Sequence, residues 1–368
     1  MDIEKRMELI TREPTEEVVT NNDLRELLET KKNPRAYDGF EPSGILHLGA
    51  GLMRSIKLQD MIDAKCKFTL YVADWFAFLN NKMNGDINLI RKNGKYFIEG
   101  WKACGVDTDK IDIVWCSDLI KDPEYWELFM KIGKKSTLKR TTRCMTIMGR
   151  QESELAEVSQ LFYPIMQCTD IFKLGADITQ LGMDQRKVNI LAREIAPKLG
   201  LQKPVVVSHH LLMGLQGMDS TGSSRMNTFD ENEKLNTEIS VKMSKSIPSS
   251  SVFIHDSEEE IKNKIKHAFC PVKQVEGNPI MEICKYIIFR KQDCFDIHRP
   301  EKFGGDLRYE DYNKLENDYK NGNIHPLDLK NGVSESLNEL LSPVRKHFEK
   351  NKKAKELYEE IKNAKKTR

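Results

Sequence analysis

Between Arg35 and Leu215 the chain alternates strand-like and helix-like runs, and this alternation restricts the fold more than any other feature. "RAYDGF" and "KFTLYVADWFAFL" read as strands, and "IKLQDMIDAK" and "LIRKNGKYFIEGWKACG" as helices. "DKIDIVWCSDL" reads as a strand ending at Cys116 and Ser117, and "KPVVVSHHLLMGL" as one more. Such alternation predicts a parallel sheet wrapped by helices, an α/β fold, with ligands bound at the strand ends. Residues 1–32 read as a helical lead-in. In "NNDLRELLETKK", Leu24, Leu27 and Leu28 fall at helical spacing behind a cap at Asn22 or Asp23.

After Leu215 the composition shifts. The stretch from Gln216 to Ser240 is poor in aliphatic residues and rich in Gly, Ser, Asn and acidic residues, and reads as a long mobile loop. Beyond Ser251 the alternation stops. Ser257 and Glu260 form a capping box, and Ile261, Ile265 and Phe269 a helical stripe, so a mainly helical second domain is expected over 251–368. Its lysine-rich end reads mostly as a solvated helix and frayed tail. The 368 residues are enough for two domains, and the formal net charge of +2 advertises no general affinity for nucleic acid. No run approaches the roughly 20 apolar residues of a membrane span. The eight cysteines never form C-x-x-C, as expected of reduced, mostly buried thiols in a cytosolic protein and not of a zinc ribbon.

Two short segments carry phosphate chemistry. In "FEPSGILHLGAG", Gly44 after Pro42 and Ser43 lets the backbone turn tightly. A helix starting near Leu48 would aim free N–H groups at an anion, and His47 could donate to a phosphate oxygen. In "VKMSKSIPSS", Lys242 and Lys245 lie three apart with Ser244 and Ser246 between and beside them, suited to charge on a pyrophosphate leaving group. Alone, each segment is as well explained by a structural histidine or a solvated lysine pair.

Together, a glycine turn with histidine at the first strand–helix junction and a complete K-M-S-K-S some two hundred residues later resemble a class I aminoacyl-tRNA synthetase. "AYDGFEPSG", "FYPIMQCTDIF" and "QLGMDQRKVNILARE" are similar to the tyrosyl family in its archaeal and eukaryotic form, as are "KFGGD" and "HPLDLKN" near the end. "VADWFAFLNNKMNGD" leans to the eukaryotic branch. The resemblance implies a Rossmann-type catalytic domain over 33–250, with a mobile lysine-signature loop over 216–250, followed by a mainly helical anticodon-binding domain over 251–368. It implies L-tyrosine, ATP with Mg²⁺ and tRNA(Tyr) as partners, no protein-bound metal, a cytoplasmic homodimer and no membrane.

Residue by residue, the resemblance gives Tyr37 and Asp170 to the substrate phenol, Tyr163 and Gln167 to its ammonium group, and Gln185 to the rest of the amino-acid pocket. A phenolic hydroxyl donates and accepts; Asp170 accepts and Tyr37 can donate. Tyr163, Gln167 and Asp170 stand at i, i+4 and i+7, one side of a helix otherwise apolar enough that the row should face an enclosed cleft. Cys168 beside them reads as packing. Asp74 reads either as pocket lining or as a strand-terminal turn aspartate. ATP would lie against Gly39, Glu41, Pro42, Ser43, Gly44, His47, Gly49 and Ala50, against Gly182, Met183 and Asp184, and against Met243, Ser244 and Lys245, with His47, Lys242 and Lys245 catalytic. Arg143, Arg186 and Lys187 would meet the acceptor stem of the tRNA, and Phe303, His325 and Asp328 the first anticodon base.

The chain departs from the family twice. The first signature usually ends in a second histidine, whereas here it reads His47-Leu48-Gly49-Ala50, and Ala50 cannot donate to a phosphate. The stretch from Gln216 to Ser240 is also longer than usual. The dimer interface is expected in "LMRSIKLQDMI" or near "SELAEVSQLF". A tryptophanyl enzyme, a catalytically inert paralogue that keeps RNA binding, and a small nucleotidyltransferase with the same histidine signature are the competing readings.

Overall fold

The computed structural model describes residues 1–149, 157–217, 232–245 and 247–364. Six strands form one sheet: β1 (Thr15–Val19), β2 (Arg35–Phe40), β3 (Lys67–Val72), β4 (Asp112–Trp115), β5 (Ile178–Gly182) and β6 (Val205–His209), in the spatial order β1-β6-β5-β2-β3-β4. All neighbours are parallel except β1, which runs antiparallel along β6. The chain builds β3 and β4 to one side of β2, and β5 and β6 to the other. The order therefore reverses between β2 and β5, and a crevice opens at their carboxyl ends.

Several elements differ from the sequence reading. The lead-in is two helices, Ile3–Thr11 and Asn21–Thr30, with β1 between them, and the cap of the second is the Thr20 hydroxyl, accepting from the Asp23 N–H. The strand expected to run to Leu79 ends at Val72, and Asp74–Leu79 is a helix. Part of the expected loop is a helix, Glu233–Val241, capped by Asn232, while 218–231 lie outside the described residues.

The part from Ser251 onward is mainly helical, with a small hairpin of β7 (Phe295–Ile297) and β8 (Leu307–Tyr309). The capping box at Ser257 and Glu260 is present. Its helix ends at His267, so Ile261, Ile265 and Ala268 are buried while Phe269 lies past the end, half-buried. The helix Lys352–Asn363 packs onto Ile87–Ala103 with Ala354 and Ile361 buried, while Lys352, Lys353, Lys355 and Lys362 stay exposed, the solvated face expected of the lysine-rich end. One apolar core runs without a break from Phe40 and Leu46 through Trp101 to Ile287 and Leu337. Buried Asp60 ties the lead-in to both parts by accepting from Arg12 and from Arg290 (2.8 Å). Among the described residues no helix is long and apolar enough to cross a membrane, and all eight cysteines are free thiols.

The helix Ile87–Ala103 lies close against the sheet because Gly94 faces it. A Cβ there would stand 2.6 Å from the Trp115 ring and 2.9 Å from a Val72 methyl. Gly94→Ala is expected to lower stability by about 1–3 kcal/mol, the usual penalty of overpacking, read from the urea unfolding midpoint.

Candidate active site

The carboxyl ends of β2 and β5 open into a cavity of about 1040 Å³. One end is a dry pocket. Tyr37 projects from β2 and Tyr71 from β3, and Asp170 faces them from the helix Phe162–Lys173. All three are at most 2 % exposed. The Tyr125 hydroxyl donates to Asp170 Oδ1 at 2.8 Å. Asp170 Oδ2 and the Tyr37 and Tyr71 hydroxyls are buried without a partner. Burial pushes the Asp170 carboxyl up to about 8, the Tyr125 and Tyr71 hydroxyls opposing. Burial and the Asp170 charge push the Tyr37 phenol well above its ordinary value. Buried polar atoms are nearly always paired, so a donor and an acceptor left open in one dry pocket mark a place for a ligand hydroxyl.

The polar row expected along the helix does face the cavity. Tyr163 donates to Glu41 Oε1 at 2.6 Å. Gln167 Nε2 donates to Gln185 Oε1 (3.1 Å), and Gln185 Nε2 to the Ile147 carbonyl (3.0 Å). This chain fixes both amide orientations and leaves Gln167 Oε1 as an acceptor on the row. Cys168 is fully buried, and burial pushes its thiol up, so it is packing.

The other end is cationic. Gly44 turns at φ +111°, a conformation that favours glycine. The chain then passes His47 and enters a helix whose first turn is wide, with Met53 N–H bonded to the Leu48 carbonyl five residues back (3.0 Å). The Ala50 N–H donates to His47 Nδ1 at 3.3 Å, which places the ring proton on Nε2. Burial, with Lys245, Lys242 and Arg54 nearby, pulls this imidazole well below its ordinary value, so it is a neutral Nε2–H donor.

Lys245 donates to Ser43 Oγ (3.1 Å) and lies 4.5 Å from the Phe97 ring centroid. Burial, then Lys82 and Arg54, pull its ammonium down to about 7. Lys242 is paired with Asp184 at 2.6 Å. Burial works against the Asp184 charge, but Lys242 prevails and holds that carboxyl below its usual value. Arg54 pairs with Asp38 (2.8 Å). Ser246 lies outside the described residues.

Some expected residues do not reach the cavity. Asp74 is fully buried: Oδ1 accepts from the Trp75 and Ser117 N–H groups (3.1 and 3.0 Å), and Oδ2 meets Arg91 (3.1 Å). It is the turn aspartate that fastens the ends of β3 and β4, and not pocket lining. Met183 packs instead against Leu235 and Ile239. Pro42, Gly49 and Gly182 are buried and shape the turns around the cavity without lining it. Conversely, Tyr71, Tyr125, Arg54 and Lys82 belong to the site and carry no local sequence signal beyond their type.

Arg143 is exposed on the helix Leu138–Cys144. Arg186 pairs with Glu17 (2.8 Å), and Lys187 donates to Thr146 (3.1 Å). Arg140 and Cys144 both reach the Lys187 carbonyl (3.4 and 3.7 Å), which sets these two basic helices side by side. Phe303 is 60 % exposed, so it is not core. His325 caps the helix Pro326–Lys350, and Asp328 is in its first turn. Arg299 reaches both Gly305 O (2.8 Å) and Asn323 O (3.4 Å), tying the Phe303 turn to the approach of that helix.

A sheet that reverses order beside a histidine signature, with a lysine signature facing it, defines the catalytic fold of class I tRNA synthetases. The family model described as tRNA synthetases class I (W and Y) matches residues 29–342, and the chain belongs to that family. It is 44 % identical over 370 residues to tyrosine–tRNA ligase 1, cytoplasmic, of Arabidopsis thaliana, covering 100 % of this chain and 90 % of the relative. It is 45 % identical over 377 residues to the tyrosine–tRNA ligase of Thermococcus kodakarensis, covering 98 % and 99 %. The crystal structure of tyrosyl-tRNA synthetase with L-tyrosine from Pyrococcus horikoshii superposes with a TM-score of 0.88 at 41 % identity, covering 98 % of this chain and 100 % of that one. Within the family, the chain stands with the tyrosyl enzymes of archaea and eukaryotes.

The open pocket makes a stability prediction. Folding raises the Asp170 carboxyl to about 8, so its burial penalises the folded state increasingly as pH rises from about 4 to 8. Asp170→Asn should therefore melt above the wild type at pH 9, the difference shrinking to nothing near pH 4. L-Tyrosine should raise the melting temperature of the wild type only.

Proposed function

We propose that this cavity activates L-tyrosine with ATP and passes it to tRNA(Tyr). The observation that carries the reading is the unpaired Tyr37 hydroxyl beside the unpaired Asp170 oxygen. The substrate phenol donates to Asp170 Oδ2 and accepts from Tyr37, satisfying both. Phenylalanine leaves both buried and unpaired, a rejection for which tyrosyl-tRNA synthetases are themselves the reference case, at about 10⁵-fold. Indole offers a donor and no acceptor, so tryptophan fails on the Tyr37 side. Tyr163 and Gln167 oxygens receive the ammonium group, and Gln185 holds Gln167 in place.

In the first step a tyrosine carboxylate oxygen attacks the α-phosphorus of ATP. The bond from that phosphorus to the β-phosphate oxygen breaks, and pyrophosphate leaves. His47 Nε2–H donates to a phosphate oxygen. Lys245 moves from Ser43 and Phe97 to the phosphates, whose charge restores its full protonation. Lys242 exchanges Asp184 for the leaving group. ATP enters as its Mg²⁺ complex. In the second step the ribose hydroxyl at the tRNA end attacks the tyrosyl carbonyl, and AMP departs. With Ala50 in place of a second histidine, the phosphates fall to His47, the helix N-terminus and the lysines. Arg143, Arg186 and Lys187 face the acceptor stem. Phe303, His325 and Asp328, in the anticodon-binding part from 251 onward, read the first anticodon base by stacking and hydrogen bonding. The enzyme works in the cytoplasm, as the plant relative's name says of that protein.

Exchange of labelled pyrophosphate into ATP tests the reading. It should depend on tyrosine and not on phenylalanine or tryptophan, and His47→Ala should lower its kcat by about 10²–10³, the effect of losing one donor to developing charge. Exchange without amino-acid preference would overturn it.

The homodimer surface is proposed on the face of Trp126, Met130, Val158 and Phe162, exposed by 38, 68, 74 and 45 %. Phe129 joins Trp126 and Phe162 ring to ring, with centroids 5.6 and 5.8 Å apart, so the patch is continuous. In the segment "LMRSIKLQDMI" the apolar residues Leu52, Met53, Ile56, Leu58 and Met61 are core and so not free for a partner. Of "SELAEVSQLF", residues 153–156 lie outside the described residues. The wild type should sediment at twice the 42.5 kDa of one chain, and Met130→Glu with Val158→Glu at the single-chain mass.

A further inference from the structure

One face of the helix Ile87–Ala103 grips the whole first signature. Asn93 Oδ1 accepts from Gly44 N (3.2 Å), and its Nδ2 donates to Gly44 O (3.1 Å). Tyr96 accepts from Leu46 N (3.2 Å), and Trp101 Nε1 donates to Ala50 O (2.8 Å). Phe97, next to Tyr96, carries the Lys245 ammonium. Of these, Tyr96 has a second connection. Its hydroxyl lies 2.9 Å from His255 Nε2. His255 follows the segment that pairs with the signature, where Leu48 N donates to Val252 O (2.9 Å) and Ile254 N to Leu46 O (3.0 Å). The His255 ring stacks on Tyr358 of the last helix, with centroids 3.8 Å apart and planes at 15°.

We propose that Tyr96 is a positioning residue for adenylate formation: through the relay Leu46 N–H to Tyr96 O–H to His255, braced by Tyr358, the last helix sets where His47 presents its proton to ATP. The direction of the relay follows from valence. Tyr96 accepts from Leu46 and has one proton to place, and the His255 tautomer that carries its proton on Nδ1 takes it at Nε2. Burial, with Lys362 nearby, pulls the His255 imidazole down to about 3, so it is neutral and keeps one ring nitrogen as an acceptor. Tyr96 is fully buried, so no water replaces a lost partner. The amino-acid pocket takes nothing from this relay, which reaches the segment before His47 and not Tyr37 or Asp170.

The inference rests on the proposed activity, and steady-state pyrophosphate exchange with the full chain separates the two. Tyr96→Phe keeps the ring and removes the relay. Its kcat should fall by about tenfold or more, the effect of one buried unpaired donor, while the KM for tyrosine stays within twofold. His255→Leu should reproduce that loss, and His255→Gln, which keeps an acceptor at the Nε2 position, should recover most of it. Tyr358→Ala should lower kcat in the same direction. A kcat within twofold of wild type in both Tyr96→Phe and His255→Leu overturns the proposal. So does a tyrosine KM that rises as far as kcat falls, or a His255→Gln no better than His255→Leu. Should Tyr96→Phe fail to fold, the His255 pair decides. A wild type that shows no tyrosine-dependent exchange sinks the activity itself and not the relay.

Discussion

A carboxyl group buried in a dry pocket, with one oxygen bonded and the other open, is the constraint around which this molecule is arranged. Tyr125 fixes the orientation of Asp170. Tyr37, from the adjacent strand, presents the complementary hydroxyl. Water would quench both, so the walls are aromatic: Tyr71 stands edge-on to Tyr37 and Phe76, and Phe76 edge-on to Tyr163. Folding bears an electrostatic penalty here that only a hydroxylated ring relieves. Selectivity then rests on a donor and an acceptor that one hydroxyl satisfies together.

The phosphate end follows the opposite logic. Its cations are already occupied: Lys242 by Asp184, Lys245 by Ser43 and the Phe97 ring, and Arg54 by Asp38. These partners hold the like charges apart at one end of the cavity. His47 needs no such holding, since it is neutral and its proton is fixed on Nε2 by the Ala50 N–H. The residue that replaces the usual second histidine thus serves the first through its backbone.

How much of this the sequence disclosed depended on the range of each signal. β2, β6 and the helix Ile87–Ala103 announced themselves by local apolar pattern, and the row Tyr163, Gln167, Asp170 by spacing. β5 did not: "ITQLG" is five residues long, buried on both faces, and carries Thr179 and Gln180 where alternation would be sought. β1 is a short charged edge strand that, among the described residues, pairs with β6 alone, some 190 residues later. The helix Glu233–Val241 was hidden by Asn, Thr and Glu, which also suit a loop. Asp74 and Met183 had plausible positions at strand ends, but the directions of their side chains were set by Arg91 and by the helix over Leu235 and Ile239. Tyr125 is 45 residues from Asp170, and no local pattern joins them.

Gly94 has a consequence that reaches beyond local fit. The helix it lets approach the sheet is also the one that pins Gly44, Leu46 and Ala50. Enlarging residue 94 would therefore act as a shim beneath a jig, tilting the segment from Gly44 to Ala50 from below. Turnover in such a chain can drift through a position that touches neither substrate, and selection for speed would read a hydrogen atom at residue 94 as part of the catalyst.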